Sequence, residues 1–367
     1  MLKRLYVDNY KCLVNFEYQP GQVQLIVGGN GSGKSTVFDV LSLLRAFLLD
    51  GVTTAIFAVN TLTRWQERNY QTFEIDLQCI DGEYHYQLII EHMISDKKNR
   101  VFHEEILYNG KPLFLSDIGK AQLFRDNSNE GPTVLLDWSR SGLSLIQQRR
   151  DNIQLMHFKD LISQLYCFKL DPRQMLSTSN QEEVDPRQNL ANYASWYRHL
   201  TQEQPNTIFH LREYLKELFD DFDSLSLAKE SENARILKAE YRTEDVLNVK
   251  YDFEELSDGQ RTLICLYTLL AIMKETPITL CIDEPENFVM FAEIQPWLME
   301  LQQQAEEHCS QTLIISHHPE LINYLVPVDA IRFDRKREGP TRVKQFAPLA
   351  NEPITPAEII ARGWDNE

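Results

Sequence analysis

The 367 residues, 43% hydrophobic and 25% charged, supply a sizeable core for one large or two modest globular domains. With 37 basic against 54 acidic side chains the net charge is −17, which argues against broad electrostatic adhesion to nucleic acid or an anionic membrane and leaves only a local basic strip open. Six scattered cysteines without a C-x-x-C pair offer neither a disulfide framework nor a zinc site, and with no apolar signal core or membrane-length apolar run the expected location is cytoplasmic, away from the membrane.

In chain order, residues 2–27 alternate as two strands joined by a turn at Pro20-Gly21. The second strand, Val23–Val27, runs into Gly28-Gly29-Asn30-Gly31-Ser32-Gly33-Lys34-Ser35, a full match to G-x-x-x-x-G-K-[ST]. A helix from Ser35 to about Leu49 follows. Strand, glycine-rich turn and helix start is the context in which such a loop cradles phosphates on backbone N–H groups and on the positive end of the helix. Gly28, Asn30, Gly31, Ser32, Gly33 and Thr36 form the cradle, Lys34 reaches the β- and γ-phosphates, and Ser35 holds Mg²⁺. The alternative is a glycine-rich turn without a ligand.

From Thr72 to Leu115 strand patterns dominate, with Asp81-Gly82 and Asn109-Gly110 placed as hairpin turns in an antiparallel block. Lys97–Arg100 falls in a connection, as a solvated loop or a ligand contact. Residues 116–150 give no assignment. After a strand at Tyr166–Leu170 the pattern reads as helical to about Tyr241, with Leu211, Tyr214, Leu215, Leu218, Phe219 and Phe222 as a core-facing stripe. A helix from Asp258 to Lys274, an apolar strand at Ile278–Ile282, a helix at Ala292–Glu307 and a strand at Thr312–Ile315 imply a parallel sheet with covered faces. The tail from Pro348 is a short appendage.

The apolar strand ends in Asp283-Glu284. A carboxylate there holds Mg²⁺ through water, and its neighbour is placed as the general base that polarises attacking water. Leu256-Ser257-Asp258-Gly259-Gln260 reads as a capped helix start whose N–H groups face an anion, or as an ordinary cap. Ser316-His317-His318-Pro319 lies just past the next strand.

The order phosphate loop, L-S-x-G-Q, D-E and strand-end histidine resembles an ABC-type ATPase, with Asp258 where the family has glycine. The opening Leu5–Lys11 and Asp283-Glu284-Pro285-Glu286-Asn287 resemble the soluble SMC/RecF/OLD-like branch, whose members act in DNA repair, chromosome handling and anti-phage defence. The resemblance covers about 1–50 and 250–335 well and the middle only in layout. Phe288-Val289-Met290 departs from the branch's Leu-His-Pro.

The resemblance implies an α/β, P-loop ABC-type nucleotide-binding domain: a mixed sheet core, an antiparallel β subdomain and a helical lobe. Its parts are an N-terminal lobe (1–170), a helical lobe (171–250), a C-terminal lobe (251–345) and a tail (346–367). It also implies a γ-phosphate contact from His317, with His318 as the fallback, and a glutamine at the strand-to-lobe junction, assigned to Gln174. Tyr10 and Lys11 lie either beside the nucleotide or in core packing and solvent.

The function implied is ATP hydrolysis with Mg²⁺ at two composite sites of an ATP-driven homodimer. Lys34, Ser35, Asp283, Glu284 and His317 of one chain face Ser257, Gly259 and Gln260 of the other. Its output is control of a separate effector, a nuclease or another protein acting on nucleic acid, in anti-phage defence or DNA repair. The alternatives are a slowly hydrolysing DNA clamp using Lys97–Arg100 and Arg335–Arg337, and the motor of a transporter. Asp221/Asp223 and Asp329/Asp334 faintly resemble nuclease metal pairs and read more simply as solvated acidic segments.

Overall fold

Alternating burial along β1 (Leu2–Asp8) places Leu5 and Val7 in the core and pairs the strand antiparallel with β2 (Phe16–Tyr18). The Pro20-Gly21 turn then leads into β3 (Val23–Val27), buried along its whole length, so three strands rather than two precede the loop. The helix α1 (Lys34–Leu49) follows directly. In the computed structural model the described residues are 1–96, 98–242, 249–336, 339–346 and 354–362.

The strands β4 (Tyr70–Cys79), β5 (Gly82–Met93), β6 (Lys98–Tyr108), β7 (Lys111–Asp117), β8 (Lys120–Phe124) and β9 (Glu130–Leu135) extend the first pair into an eight-stranded antiparallel sheet ordered β2-β1-β4-β5-β6-β7-β8-β9. The β6–β7 turn is Asn109-Gly110, with φ of 49° and 74°, the left-handed pair that a two-residue hairpin needs. At β4–β5 the turn residues are Ile80 and Asp81, and Gly82 already pairs with Cys79. β8 and β9 occupy part of the stretch that sequence left unassigned. Glu104, fully buried in β6, accepts hydrogen bonds from Tyr86 Oη (3.2 Å), Ser141 Oγ (2.5 Å) and the Gly142 N–H (2.8 Å), while burial pushes its carboxyl above the usual range. The helix α2 (Ile153–Ser163) and β10 (Leu165–Phe168) end this stretch.

By contact density the chain divides into two units, Met1–Cys167 with Ile322–Glu367, and Phe168–Leu321. The second holds β11 (Thr178–Ser179), α3 (Tyr193–Glu203), α4 (Pro205–Leu218), β12 (Phe222–Lys229), β13 (Arg235–Tyr241) and β14 (Val249–Asp252). The helical reading from Asp171 to Tyr241 holds only over α3 and α4, Tyr193 to Leu218; the stretch before them is mostly loop, with the short strand β11. Beyond Leu218, Asp221 turns the chain at φ 59° and Ser224-Leu225-Ser226-Leu227 alternates with period two, so β12 and β13 pair in register from Ser224↔Glu240 to Lys229↔Arg235. Phe219 and Phe222 therefore leave the helical stripe: one follows α4 and the other begins β12.

The helix α5 (Asp258–Glu275) is buried from Arg261 to Met273, stabilised on one side by Tyr193, whose hydroxyl meets Thr268 at 2.8 Å and whose ring stacks on Phe253. β15 (Thr279–Asp283) and β16 (Gln311–Ile315) pair in parallel, joined through α6 (Phe291–Glu307), whose Trp297 donates to the Leu266 carbonyl at 2.9 Å. After α7 (Pro319–Leu325), β17 (Ala330–Asp334) pairs parallel with β3 and antiparallel with β18 (Arg342–Gln345), and α8 (Pro356–Arg362) lies in the tail. The expected mixture of parallel core strands and an antiparallel sheet is what the chain forms. Among the described residues no helix is long and apolar enough to cross a membrane.

Candidate functional site

The phosphate loop lies between the buried β3 and α1. Gly33, at φ 101°, has room for no side chain, because a Cβ there would stand 2.6 Å from Thr341 Oγ1. The loop's carbonyls are drawn away by the chain itself. Lys34 Nζ, buried, donates to Gly28 O (2.7 Å) and Gly29 O (3.1 Å), Thr341 Oγ1 to Ser32 O (2.8 Å), and Arg335 Nη1 to Gly31 O (3.2 Å). With its acceptors so engaged, the loop has mainly donors to present, which suits a phosphate chain. A Cβ at Gly29 or Gly31 would meet nothing within 4 Å, so this side is open, and Ser32 Oγ is buried without a hydrogen-bond partner. Asn30 and Ser35 are exposed and Thr36 is half-buried. Tyr10 is a core residue against Phe73, and the exposed Lys11 pairs with Asp39 at 3.2 Å.

In the second unit β15 delivers Asp283, buried, and Glu284, half-buried at φ 55° with its N–H on Ile315 O (2.8 Å). Glu284 Oε2 accepts from Asn287 Nδ2 at 3.0 Å. Lys169, just past β10, brings its ammonium 3.3 Å from Asp283 Oδ2 and 4.0 Å from Glu284 Oε2. Sequence reasoning passed over this lysine; a cation closing an apolar strand before Asp-Pro was the available signal. Glu286 Oε1 accepts from Ser316 Oγ at 2.5 Å, and burial, opposed by that bond, holds its carboxyl above the usual range. His317 is exposed immediately beyond β16, whereas His318 stacks on Phe291 with rings 6.0 Å apart and 4° from parallel.

The start of α5 is a reciprocal capping box: Ser257 Oγ accepts from the Gln260 N–H (3.2 Å) and Gln260 Oε1 accepts from the Ser257 N–H (3.0 Å). Gln260's side chain is thus spent on the cap, and Ser257 stays exposed. The charge of Asp258, which departs from the family pattern, is met by Arg261 at 2.6 Å and Arg173 at 3.2 Å. Arg173 also lies over the Phe288 ring, 5.2 Å from its centre. Gly259 abuts the same loop, since a Cβ would sit 2.8 Å from the Phe288 carbonyl. Gln174 donates to Asp171 (2.6 Å) and accepts from Asn189 (2.9 Å), and it lines a cavity of about 640 Å³ with Lys169, Arg173, Asn287 and Phe288.

The other sequence candidates are engaged in ion pairs and hydrogen bonds where they are described. Asp223 is held by Arg212 (3.0 Å) and Arg242 (3.4 Å), which outweigh its burial and keep its carboxyl below the usual range, and Asp334 pairs with Lys344 at 2.9 Å. Among the described residues no group of three His, Cys, Asp or Glu side chains is arranged to hold a metal. Of the basic strips, Arg100 pairs with Glu91 at 2.5 Å and Arg335 is tied to the phosphate loop, while Lys97 and Arg337 lie outside the described residues.

Over residues 25–323 the chain matches the family described as "AAA domain, putative AbiEii toxin, Type IV TA system", and it belongs to that family. Nucleotide binding follows from membership of this P-loop ATPase family. No curated protein matches the chain. Its fold is similar to the SMC head domain from Thermotoga maritima (12% identity, 95% of this chain and 99% of that one, TM-score 0.50). It is also similar to an SMC head bound to the C-terminal winged-helix domain of ScpA (15%, 94% and 98%, TM-score 0.56). A third is the Pyrococcus furiosus SMC head with an extended coiled coil, bound to the C-terminal domain of ScpA (14%, 94% and 96%, TM-score 0.53). At these identities the likeness is one of fold alone: a mixed α/β fold similar to SMC head domains, in line with the resemblance read from the sequence.

Proposed function

We propose that this member of the AAA-domain family is an ATP-hydrolysing switch that dimerises on ATP and controls a separate effector. The observation that supports the reading is the exposed, capped start of α5, a helix N-terminus at which Ser257 and Gly259 could meet a phosphate bound on a second copy. On this reading Lys34 and the backbone from Gly28 to Thr36 hold the triphosphate. Ser35 and Asp283 hold Mg²⁺, which when bound neutralises charge on the phosphates. Glu284 orients the attacking water, and His317 senses the γ-phosphate. Lys169 sits beside the two carboxylates and keeps them from repelling each other before nucleotide enters.

The family's description names a toxin of a type IV toxin–antitoxin system, which supports an output in defence. A nuclease-like partner that acts on nucleic acid supplies the effector step, because phosphodiester cleavage needs clustered carboxylates, and Asp283 and Glu284 are committed to nucleotide. The test is direct: the purified chain hydrolyses ATP with Mg²⁺, loses this in Lys34→Ala, and leaves plasmid, linear duplex, single strand and structured RNA intact. Cleavage that persists in Lys34→Ala, or wild-type protein without ATP turnover, overturns the proposal.

A further inference from the structure

We propose that Trp65 and Arg335 form the platform for the nucleobase of the nucleotide held by the phosphate loop, an inference that rests on that loop's nucleotide reading. Trp65 is 41% exposed, in the connection over residues 50–69 between α1 and β4. The connection is fixed from several sides. Arg68 makes a double hydrogen bond to Asp8 (2.7 and 3.0 Å), Asn9 Nδ2 donates to Arg68 O and Tyr70 O (both 2.8 Å), and the Thr63 N–H donates to Asn9 Oδ1 (3.2 Å). An exposed indole on a braced loop has little rotational freedom left to lose when a ligand stacks on it.

Arg335 links this indole to the phosphate loop. Its guanidinium carbon lies 5.5 Å from the Trp65 ring centre, its Nη1 donates to Gly31 O at 3.2 Å, and its Nε donates to Gly339 O at 2.9 Å. The indole therefore stands within about 10 Å of the loop backbone, the reach of a nucleoside extending from its own phosphates. Two flat π-systems, an indole and a guanidinium held by two carbonyls, offer stacking surface to a third. Tyr10, the aromatic residue nearer the start of the chain, is buried against Phe73 and does not compete for this role. The alternative is that the pair serves only to staple the connection to the β17–β18 turn.

Stacking depends on the base and not on the phosphates, and every base has a π-face. In the full chain with Mg²⁺, calorimetric binding of ATP, GTP and inorganic tripolyphosphate separates the two cases. Trp65→Ala weakens ATP and GTP alike by about 10- to 100-fold and leaves tripolyphosphate within about 3-fold, which also reports an intact loop. Trp65→Phe recovers most of the loss. Equal weakening of ATP and tripolyphosphate, or ATP affinity unchanged in Trp65→Ala, overturns the platform. ATP binding that is lost in Lys34→Ala but kept in Trp65→Ala refutes the platform alone, while wild-type protein that binds neither ATP nor tripolyphosphate refutes the loop reading with it.

Discussion

Replacing Glu284 by glutamine tests the proposed chemistry with the least disturbance to the fold. The residue sits at φ 55°, a conformation that glutamine tolerates as well as glutamate, so the exchange adds no backbone strain. Its side chain accepts from Asn287 at 3.0 Å, a bond the amide oxygen of glutamine can keep. The ion pair with Lys169 is long at 4.0 Å and Lys169 is 57% exposed, so its loss costs at most about 1 kcal/mol. Weakening of the Asn287 bond from a charged to a neutral acceptor adds about 1 kcal/mol, and the melting temperature should fall by only about 5 °C. Turnover should drop far more, by about 10²- to 10⁴-fold, the contribution of a positioned general base and equivalent to about 3–5 kcal/mol of barrier. Phosphate release under saturating ATP and Mg²⁺ measures the rate, calorimetry the ATP affinity, and light scattering the mass. The expected variant binds ATP as tightly as the wild type, hydrolyses it barely and accumulates as a dimer. A rate within about tenfold of wild type would refute the base assignment. ATP-bound variant that stays monomeric would refute the composite sites.

Ser257→Arg should abolish hydrolysis while single-chain ATP affinity stays near wild type, because a bulky cation would block approach of the α5 start to a second copy; an affinity loss matching Lys34→Ala would place Ser257 in the same chain's pocket. Glu104→Ala leaves Tyr86 Oη, Ser141 Oγ and the Gly142 N–H without their shared acceptor, and denaturant unfolding should show a loss of about 2–5 kcal/mol, whereas Glu104→Gln should cost about 1. The pair His85–Asp76, at 2.5 Å, should make stability pH-dependent. The Asp76 bond raises the pKa of His85, so that contribution is complete below about pH 6.5 and is lost as pH rises through the raised value. Asp76 is held low by His85 and Arg4 against its own burial, so its contribution is complete above about pH 4 and is lost as pH falls through the lowered value. The stability gap between wild type and His85→Gln should therefore be widest between those limits and narrow towards alkaline pH; a gap constant from pH 5 to 9 would contradict the pairing.

What the sequence by itself determined lies within a few residues along the chain. The phosphate loop is one contiguous motif between a buried strand and a helix, and both ends of α1 fall where its pattern predicts. The α5 cap spans four residues, Ser257 to Gln260, and the β6–β7 turn spans two, so local φ preferences and short-range hydrogen bonds suffice to specify them. Tertiary structure decided the rest. The helical reading failed past Leu218 because β12 reaches its partner only across a hairpin, and strand pairing overrides an ambiguous apolar period. Lys169 meets Asp283 across 114 positions, Arg173 meets Asp258 across 85, and Arg335 meets Gly31 across 304. No spacing rule spans such separations: a charged side chain's partner is whichever carboxylate or carbonyl the folded backbone brings within about 3 Å, and that is set by which strands pair.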